Sequence, residues 1–215
     1  MIKSKRTRGQ EKKGKKIKDR PCKIYIFTEG ETELIYLKHY ENKEYRVEVI
    51  PVFTEYTDAK SIVRVAKEFI DDKNIDIGLG DRCYCVFDSD PKSNPDIKSP
   101  IDWVHAYKHK GLFCIFSNPC FEIWYVLHFR DAPFGKNAGY VKSMVKDLVK
   151  DKYPDYCETV DIFNYIFDKQ AEALRRAKQL HKSHKDVHRT VYCHDCNPFT
   201  NIYEFIDYVE SAKIY

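Results

Sequence analysis

The chain has 215 residues, of which 43% are hydrophobic and 33% charged, with a mean hydropathy of −0.59. That length suits one compact domain with an appendage, and no apolar run approaches the ~18 residues a membrane-spanning helix needs. The net charge of +4 is uneven: residues 1–23 carry eleven Lys/Arg and two Asp/Glu, a local +9 that leaves −5 on the rest.

The basic arm over residues 1–20 reads either as a solubilising tail or as a phosphate-binding segment, because Lys and Arg displace counterions from nucleic acid. It lacks the apolar stretch of a secretory signal, so a cytoplasmic setting without membrane contact is expected. The cysteines agree with a reducing compartment. Cys22, Cys83, Cys85, Cys114 and Cys120 lie in or beside apolar runs, where Cys behaves as a small buried hydrophobe. Cys193 and Cys196 have zinc-knuckle spacing, and His181, His184 and His188 lie near enough in sequence to complete a site. A single pair is a weak signal for zinc.

Beyond the arm, strand and helix patterns alternate. KIYIF (23–27) reads as a buried strand, and 31–40 as a helix with Leu34, Leu37 and Tyr40 on one face. Residues 45–53 read as a strand, and 58–71 as a helix capped by Asp58. CYCVFD (83–88) is the clearest buried strand. Residues 100–109 read as a helix and LFCIF (112–116) as a fourth strand. Asn118-Pro119 signals the start of a helix running to 129, with Asn at the cap and Pro at the first turn. Four such alternations mark an α/β fold with a parallel sheet and crossover helices. Residues 130–215 show helical patterns at 140–150, 158–167, 169–184 and 199–209 and no strand, so they are expected to form a helical appendage on a core of 21–129.

Ligands of a parallel α/β sheet bind at the carboxyl ends of its strands. Acids stand at three such ends. The first strand runs into TEGETE (28–33), placing Glu29 at its end, with Gly30 permitting a tight turn. The third runs into Asp88-Ser89-Asp90, whose two carboxylates project to one side if the chain stays extended. The fourth leads to Asn118 and then Glu122. Converging carboxylates repel, and Mg2+ or Mn2+, which favour oxygen ligands, would relieve that repulsion. Glu31 and Glu33 taken alone read as ordinary acids at a helix N-terminus. The aromatics of 121–129 and Cys120 read as core. His128 lies about 240° round the helix from Glu122 and reads as a packed histidine.

The Glu-Gly turn after the first strand and the DxD after a later one resemble the Toprim domain, a metal-binding module of topoisomerases, primases and certain nucleases. With SNPCFEIWYVLHF (117–129) and NPFT (197–200), TEGETE and FDSD are similar to the RloB family, associated with restriction loci and abortive phage infection, over about 21–210. The resemblance implies a Toprim-like core with Glu29, Asp88 and Asp90 as metal ligands and Glu122 as a further carboxylate. It implies a Mg2+- or Mn2+-dependent phosphodiesterase acting on DNA or RNA, serving anti-phage defence beside an ATPase partner. No GxxxxGK[ST] pattern occurs in this chain, so ATP chemistry would belong to that partner. Gly30, Asn118, Lys182 and Arg189 are the expected phosphate contacts, the last two within a basic stretch (175–189) that otherwise reads as a solvated helix face. Self-association is left open. The competing readings are a non-catalytic module binding nucleic acid or nucleotide, and, less favoured, a nucleotidyl-transfer enzyme.

Overall fold

The computed structural model describes residues 20–41, 46–73 and 75–212; the basic arm lies outside them except for Arg20. The elements are β1 (Cys22–Thr28), α1 (Glu31–Lys38), β2 (Val47–Pro51), α2 (Ala59–Lys73), β3 (Arg82–Asp88), α3 (Lys98–Tyr107), β4 (Leu112–Asn118), α4 (Glu122–Phe129), α5 (Ala138–Val149), α6 (Phe163–Ile166), α7 (Gln170–Asp186), β5 (Phe199–Thr200) and α8 (Ile202–Ser211). The sheet order is β2-β1-β3-β4-β5, parallel from β2 to β4, so the expected α/β architecture is present.

Strand alternation sends side chains to two faces. Ile24, Ile26, Tyr84, Val86 and Ile115 pack under α1, α4, α5, α7 and α8. Phe27, Cys83, Cys85, Phe87, Cys114 and Phe116 face α2 and α3. Helix α2 earns its place through Ile62, Val63, Ala66 and Ile70 on one stripe, and the Asp58 carboxylate caps it by accepting from the Ser61 amide at 2.9 Å. Helix α4 is buried along Glu122–His128, as an apolar-all-round helix must be.

Three sequence expectations change. The C-terminal region does contain a strand: β5 pairs antiparallel with β4 through Ser117–Thr200 and Asn118–Phe199. Two residues are too short to show an alternation pattern. Asn201 continues the edge, its Oδ1 accepting from the Phe116 amide (2.7 Å) and its Nδ2 donating to the Cys114 carbonyl (3.0 Å). Second, the helix after β4 starts at Glu122 rather than at Asn118-Pro119, because Asn118 completes the strand. Third, the helix read over 158–167 is confined to Phe163–Ile166, since 158–159 forms a turn and 161–162 is irregular. The C-terminal helices also fill the same hydrophobic cluster as the sheet: Val141, Val145, Ala173, Ala177 and Phe205 pack with Ile24 and Trp124. The appendage is thus one wall of the core.

Candidate functional site

The carboxyl ends of β1, β3 and β4 lie side by side in the sheet. Asp88 ends β3 on the same face as Tyr84 and Val86, towards α1 and α4. There it meets three other acids. Burial raises the Asp88 carboxyl well above the usual carboxylate range, and the charges of Glu33, Glu122 and Glu29 raise it further. Glu29 is pushed up to about 7, first by burial and then by Glu33, against hydrogen bonds from Asn94 and the Asp88 amide. Glu33 is raised by burial and by Glu122. Glu122 is 3% exposed at the first turn of α4. Four acids from three strand ends therefore share one electrostatic environment.

The expectation for Glu33 was too bland. It is 8% exposed, and its carboxylate accepts from the Thr28 hydroxyl at 3.4 Å. Gly30 explains the approach: a Cβ there would stand 2.9 Å from Glu33 Oε2. The glycine leaves space for a carboxylate, and its φ of −134° is ordinary extended backbone.

Asp90 goes elsewhere. The chain turns at 91–93, and the Asp90 carboxylate accepts from the Lys92 amide and the Ser93 hydroxyl, both at 3.0 Å. The Lys92 amide, then against burial the Ser93 hydroxyl, hold it below its ordinary range. The extended geometry that would align Asp88 with Asp90 ends at the strand, and Asp90 lines a separate cavity with Ser89, Asn118, Lys136 and His194.

Two groups that sequence reasoning passed over organise the rim. Asn94, 3% exposed, donates to Glu29 Oε1 (3.2 Å) and the Asp88 carbonyl (3.0 Å), while its Oδ1 accepts from the Ala59 amide (2.6 Å). It ties the ends of β1 and β3 to the start of α2. Lys142 of α5 lies 3.9 Å from Glu122 Oε1 and 2.9 Å from Glu158 Oε2. Burial pulls its ammonium down, but Glu158 and Glu122 outweigh that and raise it. Neither residue sits in a motif that could have revealed it.

The expected phosphate contacts are differently placed. The Asn118 amide is committed to the Cys193 and His194 carbonyls at 3.0 Å each. Lys182 and Arg189 stand exposed, one on α7 and one in the turn beyond it. Much of the basic stretch is structural: Arg176 donates to the Leu127 carbonyl (2.7 Å) and Lys178 pairs with Asp207 (2.8 Å). The zinc constellation does not assemble. Cys193 and Cys196 thiols donate to backbone carbonyls, His184 donates to the Pro198 carbonyl and His181 meets the Tyr203 hydroxyl. His128 is a packed histidine, donating to the Trp124 carbonyl at 2.8 Å, and burial pushes it down to about 4. Burial, then the charges of Glu122 and Asp88, push the Cys120 thiol well up, as suits a core cysteine.

Does the rim suit a divalent ion? Its donors are hard oxygens, and a cation would favour the ionised carboxylates that burial and mutual repulsion disfavour. Among the described residues, no three His, Cys, Asp or Glu groups converge as a ready-made cage. Magnesium does not require one, because it retains several waters and commonly takes one or two protein carboxylates plus substrate phosphate. The donor set fits on those terms.

A family model described as RloB-like protein matches residues 24–209. The chain belongs to the RloB family. No curated protein and no solved structure matches it. The RloB match begins within β1 and ends within α8, so the acids and Lys142 all lie inside it. No helix among the described residues is long and apolar enough to cross a membrane.

Proposed function

We propose that this RloB-family protein is a Mg2+- or Mn2+-dependent nuclease with a Toprim-like core, cutting phosphodiester bonds as an effector of anti-phage defence. The observation that carries this is the grouping of Glu29, Glu33, Asp88 and Glu122 at the carboxyl ends of β1, β3 and β4, each of the first three raised first by burial and then by its acidic neighbours. Asp88, with Glu33 and Glu122 beside it, supplies the oxygen donors for the ion. A bound divalent ion supplies Lewis-acid polarisation of the scissile phosphate and neutralises charge there. Glu29, the acid at the end of β1, accepts the proton of the attacking water. Asn94 holds Glu29 in position, and Lys142 offsets the charge of the acids. The ATPase partner follows from the family resemblance, which also supports the defence role.

The test uses purified protein with plasmid DNA and total RNA, in manganese and in chelator. Cleavage of one pool in manganese only, lost in Asp88→Ala, supports the reading and names the substrate. Cleavage that persists equally in Asp88→Ala or in chelator contradicts it. The absence of a three-ligand cage among the described residues favours one alternative, a non-catalytic nucleic-acid-binding module. That alternative predicts binding in chelator as tight as in manganese and no cleavage in either.

A further inference from the structure

A cavity of about 470 Å³ opens beside Glu122, walled by one side of α5 and by the 156–159 segment. Its size lies in the range of small-molecule sites. Lys142 and Lys146, one helical turn apart on α5, line it with Glu122, Tyr156, Glu158 and Thr159. Thr32 of α1 anchors that segment by donating to the Glu158 carbonyl at 3.0 Å.

Tyr156 is the telling residue. It is only 6% exposed, yet its hydroxyl has no hydrogen-bond partner. Buried hydroxyls are almost always satisfied, so this orphan in the cavity wall leaves a polar group whose partner the surrounding residues do not supply. Lys142 is the second observation. Its side chain is 36% exposed, and its closest partner is the half-exposed Glu158 carboxylate at 2.9 Å. An exposed ion pair of this kind is weak and readily exchanged for another anion.

We propose that this cavity binds the phosphate group of a nucleotide, with Lys142 exchanging the Glu158 carboxylate for a phosphate oxygen. Lys146 adds positive charge, and the Thr159 hydroxyl, which meets the Cys157 thiol at 3.4 Å, supplies a neutral donor. The cavity adjoins Glu122, so it holds a phosphate flanking the scissile bond. This deepens the nuclease reading and rests on it for the identity of the substrate. Glu158 acts as a place-holder: its carboxylate keeps Lys142 charged and positioned until the phosphate arrives.

The experiment is calorimetric titration of adenosine 5′-monophosphate into the full chain in chelator, with adenosine as the phosphate-free control. The monophosphate should bind and adenosine should not. Lys142→Met should weaken binding about tenfold or more, the usual effect of losing a charged hydrogen bond. Glu158→Gln should tighten it by removing the competing anion, a gain that a merely structural role for Glu158 would not give. Glu158 is exposed, so this second variant keeps the test sharp even if Lys142→Met folds poorly. Monophosphate binding that is absent, that survives unchanged in Lys142→Met, or that weakens in Glu158→Gln overturns the proposal. Nucleic-acid cleavage without monophosphate binding overturns the pocket alone. Monophosphate binding without cleavage supports the pocket and removes the nuclease reading.

Discussion

Replacing Glu29 by Gln tests the electrostatics of the rim quantitatively. The Glu29 carboxyl moves from 4.5 to about 7 on folding, chiefly by burial and then by repulsion from Glu33. A shift of about 2.5 units at ~1.4 kcal/mol each is about 3 kcal/mol, an upper bound for a side chain that keeps some contact with solvent. The sign follows from proton binding. Between about pH 4.5 and 7 the folded state holds a proton that the unfolded chain has released, so stability falls as pH rises and the loss is complete above 7. Glu29→Gln cannot ionise and keeps an acceptor for Asn94. In chelator the variant should match the wild type near pH 4.5 and exceed it by about 2–3 kcal/mol at pH 8. For a chain of this length that is about 4–12 °C in Tm. Urea denaturation at both pH values measures the difference. An offset independent of pH, or a wild type that gains on the variant as pH rises, would falsify the assignment.

Asn94→Ala removes the support of the Ala59 amide, the Asp88 carbonyl and Glu29 together, and should cost about 2–3 kcal/mol in urea denaturation. A cost below about 0.5 kcal/mol would show that Asn94 is no clamp. Gly30→Ala should fold with a loss of about 1 kcal/mol, because the extended backbone accepts alanine while Glu33 must shift. It should nonetheless lower manganese-dependent cleavage, and unaltered cleavage would remove Glu33 from the site. His128→Gln should leave the pH dependence of cleavage between 5 and 8 unchanged, since His128 already titrates at about 4.

The sheet was readable because its strands are short, apolar and separated by well-signalled helices. KIYIF, CYCVFD and LFCIF became β1, β3 and β4 with shifts of one or two residues at their ends. Strand β5 was not readable: two residues carry no period, and it is their pairing with Ser117 and Asn118 of β4 that reveals them. The rim was half legible. Strand-end logic placed Glu29, Asp88 and Glu122 at neighbouring strand ends, but it assumed that extended chain continues through Asp90. The Asp90 side chain instead closes its own turn with Lys92 and Ser93, a local bond that competes with extension. Glu33 was set aside because acids are common at helix N-termini for reasons of the macrodipole alone. The charges that face it, Glu122 and Lys142, are distant in sequence, and Lys142 comes within 3.9 Å of Glu122 only in the folded chain.

Manganese titration against wild type and Asp88→Asn reaches the central claim most directly. The account predicts saturable binding to the wild type that weakens more than about tenfold in the variant. A wild type that takes up no manganese, or a variant that takes it up equally well, would contradict a cation held at the meeting of these strand ends.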